Sequence, residues 1–175
     1  LDGTKFFYVN PLEVIPEASI KDEWHRHVKV ERQKWFGCAC CPPTLARTIS
    51  ALGQYAYGSS DDSLLVHLYM SSNYETLIKD RKVRLDVSTE YPWKNRVRLK
   101  AFLDEDLDQE FSIALRIPDW CKKSSIAVNG KEYRPDVKQG YGYIKRKWTS
   151  QDTITLDMDM PTLVVSANPK VRDNI

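Results

Sequence analysis

The sequence predicts a mainly β protein, in which an antiparallel β-sandwich follows a short strand, a loop and one α-helix. Two patterns indicate the sandwich. Apolar and polar residues alternate over most of residues 61–175, and the pair Asn129-Gly130 stands between strand-like segments, as in a tight hairpin. A third pattern indicates the helix, because apolar residues recur at three- and four-residue spacing between residues 43 and 57.

The N-terminal part is predicted to be a strand followed by a loop. Residues 5–14 are apolar and aromatic and run into an Asn-Pro turn at Asn10-Pro11. Residues 16–33 are polar and charged without a clean period, which predicts a loop or an irregular helix.

The predicted helix begins at Pro42-Pro43 and ends at Gly58. Proline suits the first turn, where its missing N–H would have no partner within the helix. The residues at helical spacing are Leu45, Thr48, Ile49, Leu52, Tyr55 and Ala56. The adjacent Cys40 and Cys41 are therefore expected at the N-terminus of this helix.

The predicted strands are half-buried, because their apolar residues alternate with polar neighbours. About eight to ten short strands from Leu64 onward are typical of a β-sandwich. The alternating sets are Val83, Leu85 and Val87, then Val97, Leu99 and Ala101, then Phe111, Ile113, Leu115 and Ile117, and finally Ile154, Leu156 and Met158.

Charge and hydropathy exclude several kinds of partner. There are 26 lysines and arginines against 24 acidic residues, so we expect no nucleic acid and no membrane as partner. The apolar runs are also far shorter than the roughly 20 residues of a transmembrane helix. The chain begins without methionine and stops after a strand-like run, so we expect it to be a piece of a longer protein.

Three of the four cysteines lie in Cys38-Ala39-Cys40-Cys41, which favours metal or thiol chemistry over a disulfide framework. A disulfide between adjacent cysteines is strained, whereas two thiolates can bind one metal ion. A helix N-terminus also lowers the pKa of a thiol. The alternative is that Cys40 and Cys41 are small buried hydrophobic residues. Zinc needs four ligands, so others must come from elsewhere, and His25 and His27 are candidates.

The other polar and aromatic residues carry less information. His67 alternates within a strand and is expected to be structural. Glu13, Glu17, Glu23 and Glu31 have no distinguishing partner and are given no role. Aromatic rings can be sugar platforms, but in a sandwich they are more often core or edge fillers. These rings are Trp24, Trp35, Tyr91, Trp93, Trp120, Tyr141, Tyr143 and Trp148.

Several strings resemble the β-L-arabinofuranosidases of glycoside hydrolase family 127 and its relatives. They span nearly the whole chain, and the Cys-x-Cys-Cys-Pro-Pro string is the most specific. They are Phe7-Tyr8-Val9-Asn10-Pro11-Leu12-Glu13, Trp35-Phe36-Gly37-Cys38-Ala39-Cys40-Cys41-Pro42-Pro43 with Ala46-Arg47, Thr89-Glu90-Tyr91-Pro92-Trp93, Leu115-Arg116-Ile117-Pro118-Asp119-Trp120-Cys121 and Val128-Asn129-Gly130.

The resemblance implies a fold and a chemistry. Residues 1–60 would be the end of a catalytic (α/α)6 helical barrel with the Cys-x-Cys-Cys motif, and residues 61–175 a β-sandwich domain. The implied reaction is retaining hydrolysis of β-L-arabinofuranosides with zinc as cofactor. Cys40 would be the nucleophile, Cys40 and Cys41 zinc ligands, and Tyr8 a residue lining the sugar pocket.

Two departures from the family pattern qualify this assignment. Thr44 stands where many relatives have asparagine, although a threonine can still accept from an N–H in the first helical turn. The family's general acid glutamate and its Glu-x-Cys zinc ligands would lie before Leu1, so the chain alone is expected to be inactive and to bind zinc weakly or not at all. A second copy of the chain could complete the sandwich, which would make a homodimer.

Two other classes of function stay open from the sequence. One is a non-catalytic carbohydrate-binding or scaffolding sandwich, which has no need of the cysteine string. The other is a zinc-binding interaction module that uses Cys38, Cys40 and Cys41 with His25 or His27; stoichiometric zinc in the purified chain would reveal it.

Overall fold

A computed structural model describes residues 2–8, 16–17, 29–37, 40–104, 110–166, 168 and 170. The chain divides into two compact units, residues 1–53 (unit 1) and residues 54–175 (unit 2). No helix in the described part of the chain is long and apolar enough to cross a membrane.

The described residues of unit 1 contain the predicted helix and one isolated β-bridge. Helix α1 runs over Cys41–Ala51, with Cys40 as its N-cap and Leu52 as its C-cap. Phe6 and Gln33 form an isolated antiparallel bridge through two N–H···O bonds of 2.9 Å. Of the strand predicted over residues 5–14, the structure describes residues 5–8. The bridge at Phe6 is the strand-like pairing in this part. Most of the loop predicted over residues 16–33 lies outside the described residues.

A four-residue helix, α2 (Gly53–Ala56), follows α1 and leads into the strands. The strands are β1 (Tyr57–Ser59), β2 (Ser63–Val66), β3 (Ser72–Ile78), β4 (Arg81–Thr89), β5 (Arg96–Leu103), β6 (Phe111–Arg116), β7 (Ser124–Val128), β8 (Lys131–Tyr133), β9 (Asp136–Lys138), β10 (Tyr141–Arg146) and β11 (Thr153–Met158).

The strands form two sheets whose inward side chains share one core. One sheet has five strands in the order β1-β2-β6-β10-β9, and the other has six in the order β3-β4-β5-β11-β7-β8. The pairs are antiparallel except for β2 with β6, which is parallel. Ten of the strands begin at or after Ser63, and the described part of residues 64–165 contains no helix. The predicted antiparallel β-sandwich is confirmed.

The alternating residues that the sequence predicts are buried in the core, which confirms the strand periods, except that Ile117 is only partly buried and follows the end of β6. Leu85, Val97 and Ile113 are completely inaccessible to solvent, and one buried cluster joins residues of both sheets. Strand β6 differs, because Ser112 and Ala114 are buried as well as their neighbours. Both faces of this central strand are therefore buried, and the face of Ser112 and Ala114 carries the small side chains.

The predicted end of the helix at Gly58 is wrong. Helix α1 ends at Ala51, and Gly58 lies in β1, paired with Leu65 of β2. A Cβ at Gly58 would lie 2.7 Å from Nε2 of His67, so this glycine allows a close approach of strand and side chain instead of capping a helix.

The hairpin predicted at Asn129-Gly130 is confirmed. These two residues join β7 to β8 and have φ values of 51° and 76°. Both values lie in the left-handed region that the tight hairpin turn requires, where asparagine and glycine are favoured.

Candidate active site

Tyr8, Cys40 and Cys41 converge in unit 1 and are called the thiol cluster below. The hydroxyl oxygen of Tyr8 lies 2.6 Å from Sγ of Cys40 and 3.4 Å from Sγ of Cys41. The two sulfur atoms lie 3.8 Å apart, far beyond the roughly 2.05 Å of a disulfide bond. Both cysteines are exposed, so the alternative that they are buried hydrophobic residues is wrong.

Aromatic packing places Tyr8 over the cysteines. The bridge at Phe6 makes the backbone extended there, so Phe6 and Tyr8 project to the same side. The ring centroids of both lie close to that of the buried Phe36, at 5.2 Å for Phe6 and 5.5 Å for Tyr8. Phe36 therefore holds the tyrosine ring in place, four residues before Cys40.

The start of α1 places the two thiols side by side. Cys40 is the N-cap with helical backbone angles, φ −72° and ψ −36°. Pro42 and Pro43 have no N–H, and the N–H of Thr44 bonds to the carbonyl of Cys40 at 3.3 Å. The first turn therefore offers few free N–H donors to the thiols, and the helix acts on Cys40 mainly through its dipole. The Tyr8 hydroxyl lies within hydrogen-bond distance of Sγ of Cys40, and either atom could be the donor.

Hydrogen bonds with Cys40 and then Cys41 raise the pKa of the Tyr8 phenol well above its usual value. A negative charge on sulfur so close by disfavours the phenolate. Tyr8 therefore keeps its proton at neutral pH and can donate it to Sγ of Cys40.

The spacing of the two sulfur atoms fits a zinc ion. Two thiolates bound to tetrahedral zinc at about 2.3 Å each lie about 3.8 Å apart, and the observed separation of Cys40 and Cys41 is 3.8 Å. They would supply two of the four ligands. The described residues contain no group of three or more His, Cys, Asp or Glu side chains that could hold a metal ion. Cys38, His25 and His27 lie outside the described residues.

The remaining candidates from the sequence are dispersed. His67 lies just after the end of β2 and not within a strand, and its Nδ1 is 2.7 Å from the hydroxyl of Tyr141, a contact within unit 2. Cys121 is buried and its thiol donates to the carbonyl of Lys123 at 3.1 Å. Glu17 and Glu31 are exposed, whereas Glu13 and Glu23 lie outside the described residues.

The sequence analysis missed the role of Phe36. It stands in the quoted motif, but no periodicity marks it as the support of Tyr8, since it lies in a non-regular segment before α1. The only available signal was the spacing of Phe6 and Tyr8, which places two rings on one side of an extended chain.

Comparison with known families identifies the chain. Residues 63–160 match the model of the "Beta-L-arabinofuranosidase, GH127 middle domain". The chain belongs to glycoside hydrolase family 127. Residues 1–54, which contain the thiol cluster, match the "Beta-L-arabinofuranosidase, GH127 catalytic domain". The resemblance of the motifs to this family is confirmed.

Individual relatives agree with this family. The non-reducing end beta-L-arabinofuranosidase of Bifidobacterium longum subsp. longum is 32% identical over 178 residues, which cover 99% of this chain and 26% of the relative. A crystal structure of a GH127 beta-L-arabinofuranosidase from Geobacillus stearothermophilus T6 is 46% identical, with a TM-score of 0.82, and the match covers 99% of this chain and 27% of that one. A GH127 beta-arabinofuranosidase is 35% identical with a TM-score of 0.72 over 82% of this chain and 25% of that chain. The chain spans about a quarter of the length of these relatives.

Proposed function

We propose that this chain carries the nucleophile of a retaining glycoside hydrolase that acts on β-linked L-arabinofuranosides. In this proposal Cys40 is the nucleophile, Cys40 and Cys41 are zinc ligands, and Tyr8 borders the sugar site. The observation that carries it is the convergence of the Tyr8 hydroxyl and two exposed thiols in the segment that matches a GH127 catalytic domain. The names of the relatives support the choice of sugar.

The proposed reaction has two displacements at the anomeric carbon. The thiolate of Cys40 attacks this carbon, a sulfur–carbon bond forms, and the bond to the leaving oxygen breaks as that oxygen takes up a proton. Water then attacks the same carbon, the sulfur–carbon bond breaks, and the thiolate returns while water gives up a proton. Two inversions give net retention. The general acid in this proposal is the glutamate that the family resemblance implies, and Tyr8 is given no proton-transfer role.

Tyr8 would position the nucleophile. Its hydroxyl, 2.6 Å from Sγ of Cys40, fixes the direction of the sulfur lone pairs and stabilises the charged thiolate. The ring is itself held against Phe36, so the donor does not need to be ordered when the substrate binds. Because the hydroxyl lies at the attacking atom, Tyr8 would also border the sugar that is attacked.

Zinc, when bound, would keep thiolates deprotonated at neutral pH. Cys40 and Cys41 are the residues of this chain that would hold it, as the 3.8 Å spacing of their sulfur atoms allows. Two ligands leave half of a tetrahedral shell to other groups. We therefore expect the 175-residue chain alone to be inactive and to lose zinc during gel filtration. An inactive chain that kept one zinc per molecule would instead favour a zinc-binding interaction module.

Substitution of Cys40 in the natural protein that contains this chain tests the proposal. Cys40→Ser should lower kcat on a β-L-arabinofuranoside by more than about 10³-fold, because the whole covalent route is lost. Cys121→Ser is the matched control, since that buried thiol makes one hydrogen bond that a serine hydroxyl can also make. Its activity should be unchanged. Near-normal turnover by the Cys40→Ser enzyme would refute the assignment.

A further inference from the structure

The most exposed tryptophan of the described residues projects from the turn between β4 and β5. Trp93 is 90% exposed, whereas Trp148 is 1% exposed in the core. An indole in water leaves a large apolar surface unburied, and a ligand that stacked on the ring would bury it. Trp93 thus differs from the core and edge fillers expected of aromatic residues in a sandwich.

The turn that carries Trp93 is held rigidly by hydrogen bonds. The backbone N–H groups of Trp93 and Lys94 donate to the carbonyl of Glu90 at 2.8 and 3.1 Å. The hydroxyl of Thr89 accepts from the N–H of Tyr91 at 3.0 Å and donates to the carbonyl of Arg96 at 2.8 Å. The backbone that carries the indole is therefore fixed before any ligand arrives, which lowers the entropy lost on binding.

An open cleft of about 990 Å³ lies beside this turn, on the outward face of β4 and β5. Ser88 and Arg98 face each other across these two strands and both point away from the core, since their strand neighbours are buried. Asn95 and Asp159 also line this Trp93 cleft. The cleft combines one flat apolar ring with hydrogen-bond donors and acceptors.

The charges in the Trp93 cleft compensate one another. Arg96 forms two hydrogen bonds with the carboxylate of Asp157, at 2.6 and 2.9 Å, and Lys94 pairs with Glu90 at 2.8 Å. Among the described residues that line the cleft, Arg98 and Asp159 are the charged groups outside these pairs, and their charges are opposite. A strongly anionic or cationic ligand would gain little here, whereas hydroxyl groups could accept from Arg98 and donate to Asp159.

We propose that the Trp93 cleft binds a neutral oligosaccharide, with a sugar ring stacked on the indole and its hydroxyl groups bonded to Arg98 and Asp159. A sugar ring has an apolar C–H face and a polar rim, which matches a flat indole beside paired donors and acceptors. The cleft is built from residues of unit 2, whereas the thiol cluster is built from residues of unit 1. This site goes beyond the proposed function and would hold substrate chains without cleaving them.

Binding to the Cys40→Ser chain tests this site while removing the proposed nucleophile. Calorimetric titration would use a neutral L-arabinofuranosyl oligosaccharide, xylopentaose and cellopentaose, with an oligogalacturonide as the charged comparison. We expect at least one neutral probe to bind with Kd of about 1 mM or tighter. Trp93→Ala should weaken this binding at least tenfold and leave the far-UV spectrum unchanged, because the side chain is 90% exposed.

Leu77→Ala is the matched control, because it truncates another large apolar side chain, 61% exposed, on β3 of the same sheet and outside the cleft. It should bind as the parent does. Failure of all neutral probes to bind, equal binding by Trp93→Ala, or preference for the charged oligogalacturonide would each overturn the proposal. Protection of Trp93 from acrylamide quenching in the natural protein before sugar is added would also overturn it, since polypeptide would then cover the indole. None of these results depends on whether Cys40 is the nucleophile.

Discussion

Replacement of Asp152 should destabilise unit 2 by an amount that the structure allows to be estimated. This carboxylate is 5% exposed and ties together the ends of two turns. It accepts from the side-chain amide of Asn129 at 2.6 Å and from the backbone N–H of Thr149 at 2.9 Å, and a nitrogen of Arg146 lies 3.6 Å away. Asp152→Ala leaves both hydrogen-bond donors without this acceptor.

The magnitude follows from the two lost bonds. A buried donor left without a partner costs about 1–3 kcal/mol. Because Asn129 and Thr149 are themselves exposed, water can reach them and the lower end of that range applies to each. We therefore expect Asp152→Ala to lower the free energy of unfolding by about 2 kcal/mol, with little from the distant Arg146. Asp152→Asn keeps one acceptor and should lose about half as much.

The ionised carboxylate of Asp152 should also make the free energy of unfolding depend on pH. Burial by itself would raise the pKa of Asp152, but hydrogen bonds from Thr149 and Asn129 and the charge of Arg146 outweigh it and lower the pKa. The folded state therefore favours the ionised form. This stabilisation is present above the unfolded pKa of about 3.9 and is lost as the pH falls through the lower folded value. The acid loss should be smaller in Asp152→Asn, where the share of Asp152 is gone and that of Asp62, whose pKa is also lowered, remains.

Urea unfolding followed by the fluorescence of the buried Trp148 measures both effects. With a slope of about 2 kcal/mol/M, the midpoint of Asp152→Ala should fall by about 1 M. A midpoint within about 0.2 M of the parent, or an acid loss as large in Asp152→Asn as in the parent, would refute the reasoning that this carboxylate ties the two turns.

Two further substitutions test other parts of the molecule. Gly58→Ala should lower the free energy of unfolding by about 1–3 kcal/mol, because its Cβ would lie 2.7 Å from His67. Gly53→Ala is the control: nothing lies within 4 Å of a Cβ there, so the free energy of unfolding should change by less than about 0.5 kcal/mol. Equal thermal stability of the two variants would contradict the close approach at Gly58. Tyr8→Phe should slow alkylation of Cys40 by iodoacetamide at neutral pH, since the thiolate loses its hydroxyl donor. An unchanged pH profile of alkylation would show that the hydrogen bond does not stabilise the thiolate.

The sandwich could be predicted because strand burial leaves a period of two in the sequence. Val83, Leu85 and Val87 alternate and are buried in β4. Strand β6 lacks this alternation because Ser112 and Ala114 are buried as well, and its parallel pairing with β2 leaves no mark in either segment. Periodicity reports which face is buried, and it does not report which strand is the neighbour.

The site was predictable only in part. The adjacent Cys40 and Cys41 and the helix that follows them are local features, and the sequence places them correctly. The contact between Tyr8 and Cys40 spans 32 residues and depends on packing against Phe36, which no local pattern specifies. Tyr8 entered the sequence analysis only through its motif. The exposure of Trp93 could not be predicted from the sequence either, since a tryptophan in a strand-rich chain is usually packed.

Mass spectrometry of the trapped enzyme tests the central claim most directly. The natural protein that contains this chain would be incubated with a β-L-arabinofuranoside whose good leaving group lets the covalent species accumulate, quenched in acid and digested. We predict that one arabinosyl group is attached to the peptide that carries Cys40, and that the Cys40→Ser protein has none. An arabinosyl group on any other side chain, or product formed with inversion at the anomeric carbon, would contradict the account.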